Sequence, residues 1–275
     1  MGKIGHIKMV VVHVVFVSVL FNAMAYAAED AVSKWEFEAV SYLWFPAMHG
    51  TATVQGQKIK VSDSISDIFN ETYFSYMLHL QARKGRWGFF VDPMYSYFHT
   101  DGSMGQFDGR VKTNWWLIGF GGLYRVFEWG PKAEGSRMSF VDAFVGAKYW
   151  QLDNKIEIDK PAPIMVEKDT GWVDPFVGLH FRTYLTEKLF IDGRGDIGGF
   201  DAFGDSSHFA WNAYAGVGYH LTESIALWAG YRALGVNRDD GKGANRFKWD
   251  ATFYGPAFVV NIDFFKLLKK TSSQE

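Results

Sequence analysis

Residues Ser207 to Leu221 alternate between two chemistries, with Phe209, Trp211, Ala213, Ala215, Val217, Tyr219 and Leu221 on one parity and His208, Ala210, Asn212, Tyr214, Gly216, Gly218 and His220 on the other. Successive side chains of a strand point to opposite faces, so the segment predicts a strand with one apolar face and one polar or small face. Nine further segments read the same way: 34–45, 72–83, 86–98, 112–126, 141–149, 173–182, 189–197, 224–232 and a last strand running to Phe264. On several of them the second parity carries charge.

Charge decides which face is inside. Asp142, Lys148, Asp174, His180, Arg182, Asp192, Arg194, Asp196, Arg232 and Asp250 fall on the polar parity. In a dry core each would cost several kcal/mol unless paired. With the sheet closed and inverted, the apolar parity faces lipid and the charges line a lumen; closure also satisfies every backbone donor and acceptor. The fold class is therefore all-β, a closed antiparallel transmembrane β-barrel of about ten strands. Eight or twelve remain open, because Thr51 to Val61 alternates weakly enough to be a further hairpin arm and Ser62 to Asn70 could form a helical turn. The ten charged and His positions are expected to form a lumen polar network. Such a network either fills the barrel and fixes its register or makes a charged constriction for small solutes; a lumen only modestly wider than that of eight strands favours filling.

The connections alternate in length. Those at Lys84-Gly85, 185–187 and 222–223 are tight, whereas 46–71, 101–109 and 153–170 are long and polar or Gly-rich, the arrangement of bacterial outer-membrane barrels. The segment 129–137 is the exception on the short-turn side. Outward aromatics fall near strand ends: Trp35, Trp87, Tyr124, Tyr219 and Phe264 at the turn side, and Phe45, Tyr95, Tyr97, Tyr149, Phe209, Trp211 and Tyr231 at the loop side, as two girdles. The last strand changes phase: odd positions are apolar up to Phe253, even positions beyond Gly255-Pro256. A one-residue slip inverts a strand's faces, so a β-bulge is expected at Gly255-Pro256.

Composition places the protein outside the cytoplasm. Lys3 and Lys8 precede an apolar stretch from Met9 to Phe21 and then Ala25-Tyr26-Ala27, which predicts a signal peptide over 1–27 ahead of a barrel domain at 28–275. Of 28 basic and 30 acidic residues the leader removes two Lys, leaving 26 against 30, a balance of −4. That balance gives no footprint for nucleic acid. There is no Cys, so export brings no disulfides. The expected location is the cell outer membrane, the expected partners are its lipid and small solutes, and the expected state is a monomer with no cofactor and no metal.

The stretches Trp35-Glu36-Phe37 to Pro46, Ala82-Arg83-Lys84-Gly85-Arg86-Trp87-Gly88, Trp172 to Gly178, Gly193 to Phe200, Gly216-Val217-Gly218-Tyr219, Gly230-Tyr231-Arg232 and Gly255-Pro256 resemble a family of largely uncharacterised bacterial outer-membrane β-barrel proteins. The resemblance covers most of the mature chain. It implies location and fold, and brings no catalytic residue or ligand. The tail Lys266 to Glu275, expected on the periplasmic side, and the loop around Lys155 to Lys168 depart from it.

Two other motifs compete for attention. Gly193 to Gly198 matches G-x-G-x-x-G, yet no helix follows to hold a pyrophosphate, so its glycines read as strand positions of close approach. At the loop-side rim, Asp201, Asp205, His208, Asp239 and Asp240 would suit a hydrolase if His208, Asp205 and Asp240 converge within hydrogen-bond reach. No nucleophile elbow or metal-ligand spacing accompanies them, so the leading expectation is a non-enzymatic structural or narrow-channel barrel with a charged, occluded lumen, and the rim hydrolase is the alternative.

Overall fold

The computed structural model describes residues 35–54, 57–63, 74–104, 107–131, 136–160, 164–241 and 247–262. The leader, the tail from 266, Phe264 and the remainder of the segment at 64–70 lie outside the described residues. Twelve strand segments are present: β1 (Glu36–Trp44), β2 (Ala47–Val54), β3 (Gln57–Asp63), β4 (Phe74–Lys84), β5 (Trp87–Met104), β6 (Phe107–Trp129), β7 (Ser139–Lys160), β8 (Ile164–Tyr184), β9 (Leu189–Gly199), β10 (Phe209–His220), β11 (Ile225–Asp240) and β12 (Phe247–Ile262).

Neighbours in sequence pair antiparallel from β4 to β12, and β1 joins the two ends by pairing with both β4 and β12. The result is a closed barrel of ten strands. The other two segments extend it: β2 continues the line of β1 along β12, with Ala47–Val54 opposite Tyr254–Phe247, and β3 folds back on β2. The weakly alternating segment at 51–61 is thus a hairpin arm outside the ring, which is why the chain has twelve segments and ten staves.

The tight turns have a local cause. In Leu185-Thr186-Glu187-Lys188 the Thr186 Oγ1 accepts hydrogen bonds from the backbone N–H of Leu189 (2.9 Å) and Lys188 (3.2 Å). Thr222 does the same for Ile225 (3.0 Å) and Ser224 (3.2 Å) in the matching Leu221-Thr222-Glu223-Ser224 turn. A hydroxyl that satisfies turn N–H groups holds such a reversal without help from the rest of the barrel. Gly85, at φ 61°, supplies the left-handed residue of the first turn.

The expected bulge at Gly255-Pro256 is not there. β12 keeps one register past it on both sides: Arg232 faces Gly255 and Tyr231 faces Pro256, while Trp44 faces Ala257 and Ala47 faces Tyr254. Odd residues of β12 point inward throughout, with Trp249, Ala251, Phe253 and Ala257 all buried. The change of phase has another cause: the surroundings outside the sheet change. Phe258 and Val260 face out below that point, and Asp250 is exposed on the same outer face above it. Asp250 therefore does not belong to the lumen. Among the described residues the register shifts lie in β6 instead, between Asp108 and Gly109 and between Arg125 and Phe127, the latter opposite Asp142 and Val141.

β7 shows the same change in one strand. Asp142 and Lys148 point inward with Val145 and Tyr149 outward; one step further Trp150 and Leu152 point inward and Gln151 and Asp153 outward. Toward the turns, the sheet is apolar outside and charged inside; toward the loops, it is polar outside and apolar inside. The first arrangement suits lipid and the second suits water. Consistent with this, β5 to β8 run 18, 23, 22 and 21 residues, about twice the 9–11 that cross a bilayer. Most of the long loops expected at 101–109 and 153–170 are therefore strand, continuing as hairpins beyond the membrane.

At the two ends of the apolar zone the outer face carries rings in contact, Trp87 with Tyr124 (4.7 Å between centroids) toward the turns and Tyr95 with Trp116 (4.7 Å) toward the loops. The boundary can be tested by charge. Arg at Val177 or Leu227, on the lipid-facing side, is expected to cost about 2–4 kcal/mol at mid-depth in urea titrations of protein refolded into lipid vesicles. Asp250→Arg, on the same face above the boundary, is expected to stay within about 0.5 kcal/mol. Equal costs at the two levels would remove the boundary.

Candidate functional site

Most charges of the lumen are engaged with each other. Nearest the turns, Arg125 binds Asp142 through two hydrogen bonds, Nε to Oδ1 at 2.7 Å and Nη2 to Oδ2 at 3.0 Å, both side chains almost fully buried. Arg182 Nε donates to Asp192 Oδ2 (2.7 Å), which also meets His180 Nε2 (3.1 Å), and Arg182 Nη1 lies 3.7 Å from Glu38 Oε1.

One level up, Arg194 reaches across to Asp92 (2.9 Å), which also bonds His79, and Lys148 bonds Asp196. Asp196 accepts from Asn212 Nδ2 (2.9 Å), and Asn212 Oδ1 accepts from Arg232 Nε (2.8 Å). The cations also sit on rings: Arg194 is 4.2 Å from the Phe144 centroid and Arg125 is 3.9 Å from that of Phe140. Charge-assisted bonds of this kind, shielded from water, are strong only when each partner is kept.

Above this layer the lumen turns aromatic. Trp115, Trp150 and Trp172, from β6, β7 and β8, stack nearly parallel at 5.8 and 5.3 Å. Trp249 of β12 meets all three edge-on at 6.0 to 6.3 Å, and Phe253 lies 4.7 Å from Trp115. Together with Leu152, Leu234 and Val236 they fill the barrel's upper section. Trp172 Nε1 donates to Ser207 Oγ (2.9 Å) and Asp174 Oδ2 (3.2 Å), and Asp174 also accepts from the Ser207 N–H (2.6 Å) and hydroxyl (2.8 Å). The aromatic layer is thereby tied to the β9–β10 loop.

The structure places nine of the ten expected network residues inward, Asp142, Lys148, Asp174, His180, Arg182, Asp192, Arg194, Asp196 and Arg232, and puts Asp250 outside. Asp174 is separated from the others, held by Ser207 and Trp172. Glu38, His79, Asp92, Arg125 and Asn212 join the network without having been on that list, although each sits on the polar parity of its strand. The tryptophan layer is the harder feature: within β6 the run Trp115-Trp116-Leu117-Ile118 is apolar on both parities, and that double apolar run is its trace in the sequence.

At the rim, His208 pairs with Asp201, whereas Asp205 and Asp240 both bind Arg238, at 2.7 and 3.2 Å. The three residues expected to converge for hydrolysis are split between two clusters, His208 with Asp201 and Asp205 and Asp240 with Arg238. Arg238 is itself buried, 4.7 Å from the Trp172 ring, so this cluster clamps the β9–β10 loop onto β11. Among the described residues no three His, Asp or Glu side chains converge as metal ligands.

Several solved structures are similar to this chain. The chain is similar to Neisserial surface protein A, at 16% identity over 83% of this chain and 98% of that one, with a TM-score of 0.30. It is similar to the outer-membrane protease OmpT from Escherichia coli, at 9% identity, covering 82% and 96%, with a TM-score of 0.49. It is also similar to the translocator domain of the autotransporter NalP from Neisseria meningitidis, at 11% identity, covering 90% and 96%, with a TM-score of 0.39. No protein-family model matches the chain, and no curated protein matches it. At such identities the likenesses say nothing about activity; the ten-strand antiparallel barrel rests on its own closed ladder.

Two substitutions probe the lumen's two layers. Arg125→Ala strands the buried Asp142 carboxylate and is expected to cost about 3–5 kcal/mol, while Arg125→Met with Asp142→Leu recovers most of it; unfolding midpoints of the three proteins decide this, and equal losses in single and double variants would deny the pair its role. Among the described residues Trp150 Nε1 is buried without a hydrogen bond, unlike that of Trp172. Trp150→Phe is therefore expected to be milder than Trp172→Phe by about 1–3 kcal/mol in the same assay.

Proposed function

We propose that the protein is an integral outer-membrane barrel, closed to solutes in its resting form, that works as a membrane-embedded structural scaffold for the long sheet it projects beyond the lipid. The observation that carries this reading is the tryptophan layer: four indoles from β6, β7, β8 and β12 in mutual contact across the upper lumen, above a paired ionic layer. Rings in contact across a lumen favour an interior filled by side chains, as in small barrels.

The outer-membrane location is supported by the apolar outer belt, by short turns at one end and long hairpins at the other, and by the leader expected at the N-terminus. Lipid is its principal partner in this reading, and a belt that is apolar around the ring favours a monomer. The split of Asp205, Asp240 and His208 between separate clusters removes the convergence that the rim hydrolase requires, so the scaffold reading is preferred.

Planar-bilayer recording of the refolded, full-length protein tests the proposal. The expected result is the absence of steady unitary conductance at either polarity and at high salt. A stable open channel in the unmodified protein would overturn the closed reading and favour passage of small solutes.

A further inference from the structure

Proline has no N–H to give a ladder, so its place in a sheet matters. Pro175 and Pro256 keep their pairings with Ala147 and Tyr231, and on their other sides they stand where a pairing ends, next to Phe176 opposite Gly198 and Ala257 opposite Trp44. Pro93 stands in the middle of one. Between Met77 opposite Met94 and Leu80 opposite Val91, the β4–β5 pairing skips Leu78 with Pro93 and His79 with Asp92, in unchanged register. Both skipped pairs are those that need a bond from the N–H of residue 93 to the Leu78 C=O. Among the described residues no other ladder of the ring is broken without a shift of register. Pro93 shares the outer face with Val91 and Tyr95, so the break lies at membrane depth, where lipid cannot supply the missing donor.

Side chains bridge the break on the lumen side. His79 and Asp92, opposite one another at the skipped pair, are hydrogen-bonded, and Arg194 of β9 holds Asp92 from across the lumen at 2.9 Å. The Asp92 side chain is 22% exposed, against 6% or less for Asp142, Asp192 and Asp196. Free space lies beside it: a cavity of about 80 Å³ below the tryptophan layer, with His79, Arg194, Tyr214 and Arg232 in its lining, and one of about 30 Å³ that touches Asp92, Pro93 and Met94.

We propose that this break is a lateral gate: the wall parts between β4 and β5 at Leu78 and Pro93, the His79–Asp92–Arg194 chain latches it shut, and its opening joins the lumen cavity to the surrounding lipid. A ladder that already lacks one bond, and whose inner side borders free space, yields before its neighbours. The gate goes beyond the closed-lumen reading, which concerns the path along the axis.

The chain has no Cys, so Met94→Cys places a single thiol on the lumen side of the break, and Leu234→Cys, equally buried on β11, is the reference. The full-length protein refolded into lipid vesicles is treated with N-cyclohexylmaleimide, which partitions into lipid, or with a sulfonated thiosulfonate, which does not. Adding Asp92→Asn is expected to speed maleimide labelling of the Met94→Cys thiol about tenfold, by loss of a charge-assisted bond. Adding Pro93→Val, which restores the N–H, is expected to slow it about fivefold. The Leu234→Cys thiol and the charged reagent are expected to respond to neither. Should Asp92→Asn fail to fold, Pro93→Val decides alone. Labelling that ignores the substitutions would leave no gate, an equal rise at Leu234→Cys would mean general loosening, and an equal rise with the charged reagent would mean entry along the axis; each overturns the proposal. Steady conductance in the unmodified barrel would sink the closed-lumen reading and leave the gate standing.

Discussion

The five residue pairs that join β1 to β12, Val40 opposite Asn261 through Trp44 opposite Ala257, turn a sheet into a barrel, and every other feature depends on that seam. Hydrocarbon offers no partner for a free N–H or C=O, so an unpaired edge at membrane depth would cost several kcal/mol per group. The seam is also the ring's shortest ladder, and it is kept straight by small features. Phe45 N–H donates to Pro256 C=O at 3.1 Å, and a side chain at Gly255 would run into the Phe45 carbonyl. Gly255-Pro256 is thus a place of close backbone approach at the seam, which accounts for a glycine and a proline there without any slip in register.

Once closed in lipid, the lower barrel loses the usual reason to stay packed. Its outer surface is already in an apolar solvent, so burying apolar groups inside gains little, and polar bonds across the lumen must hold the shape. The braces join strands far apart in the ring: Arg182 of β8 to Glu38 of β1, and Arg194 of β9 to Asp92 of β5. A ring of strands with only neighbour contacts could flatten; these ties resist it. Where the wall emerges into water the hydrophobic effect returns, and the interior changes to Trp115, Trp150, Trp172 and Trp249.

That division explains what the sequence could reveal. A ring of about ten strands, inside and outside in the lipid zone, and the tight turns follow from period two, charge and turn residues, because lipid forces a clean alternation. The inward placement of nine of the ten charged and His positions is legible for that reason. That of Asp250 is not, because the rule that places charge inside holds only at membrane depth, and beyond it the rule reverses. The same reversal looked like a bulge in β12 and made hairpin extensions of β5 to β8 look like loops. Which charges pair with which lay beyond sequence, since Lys148 and Asp196 are separated by a whole strand and Arg194 and Asp92 by about a hundred residues.

The level at which the two regimes meet is also where Arg232 stands, 5.0 Å from the Trp44 ring on the aromatic side and bonded to Asn212 on the ionic side. Each regime satisfies its own members: carboxylates neutralise cations below, and rings cover rings above. A cation at the junction has ionic neighbours on one side only, and its guanidinium is met by a phenol, an amide, a thioether and an indole. The cavity lies beside this junction because neither regime's packing closes it: ion pairs need fixed geometry and leave gaps, and large rings need whole faces to stack on. A wall that had lipid outside along its full length, or water along its full length, would have no such seam in its interior.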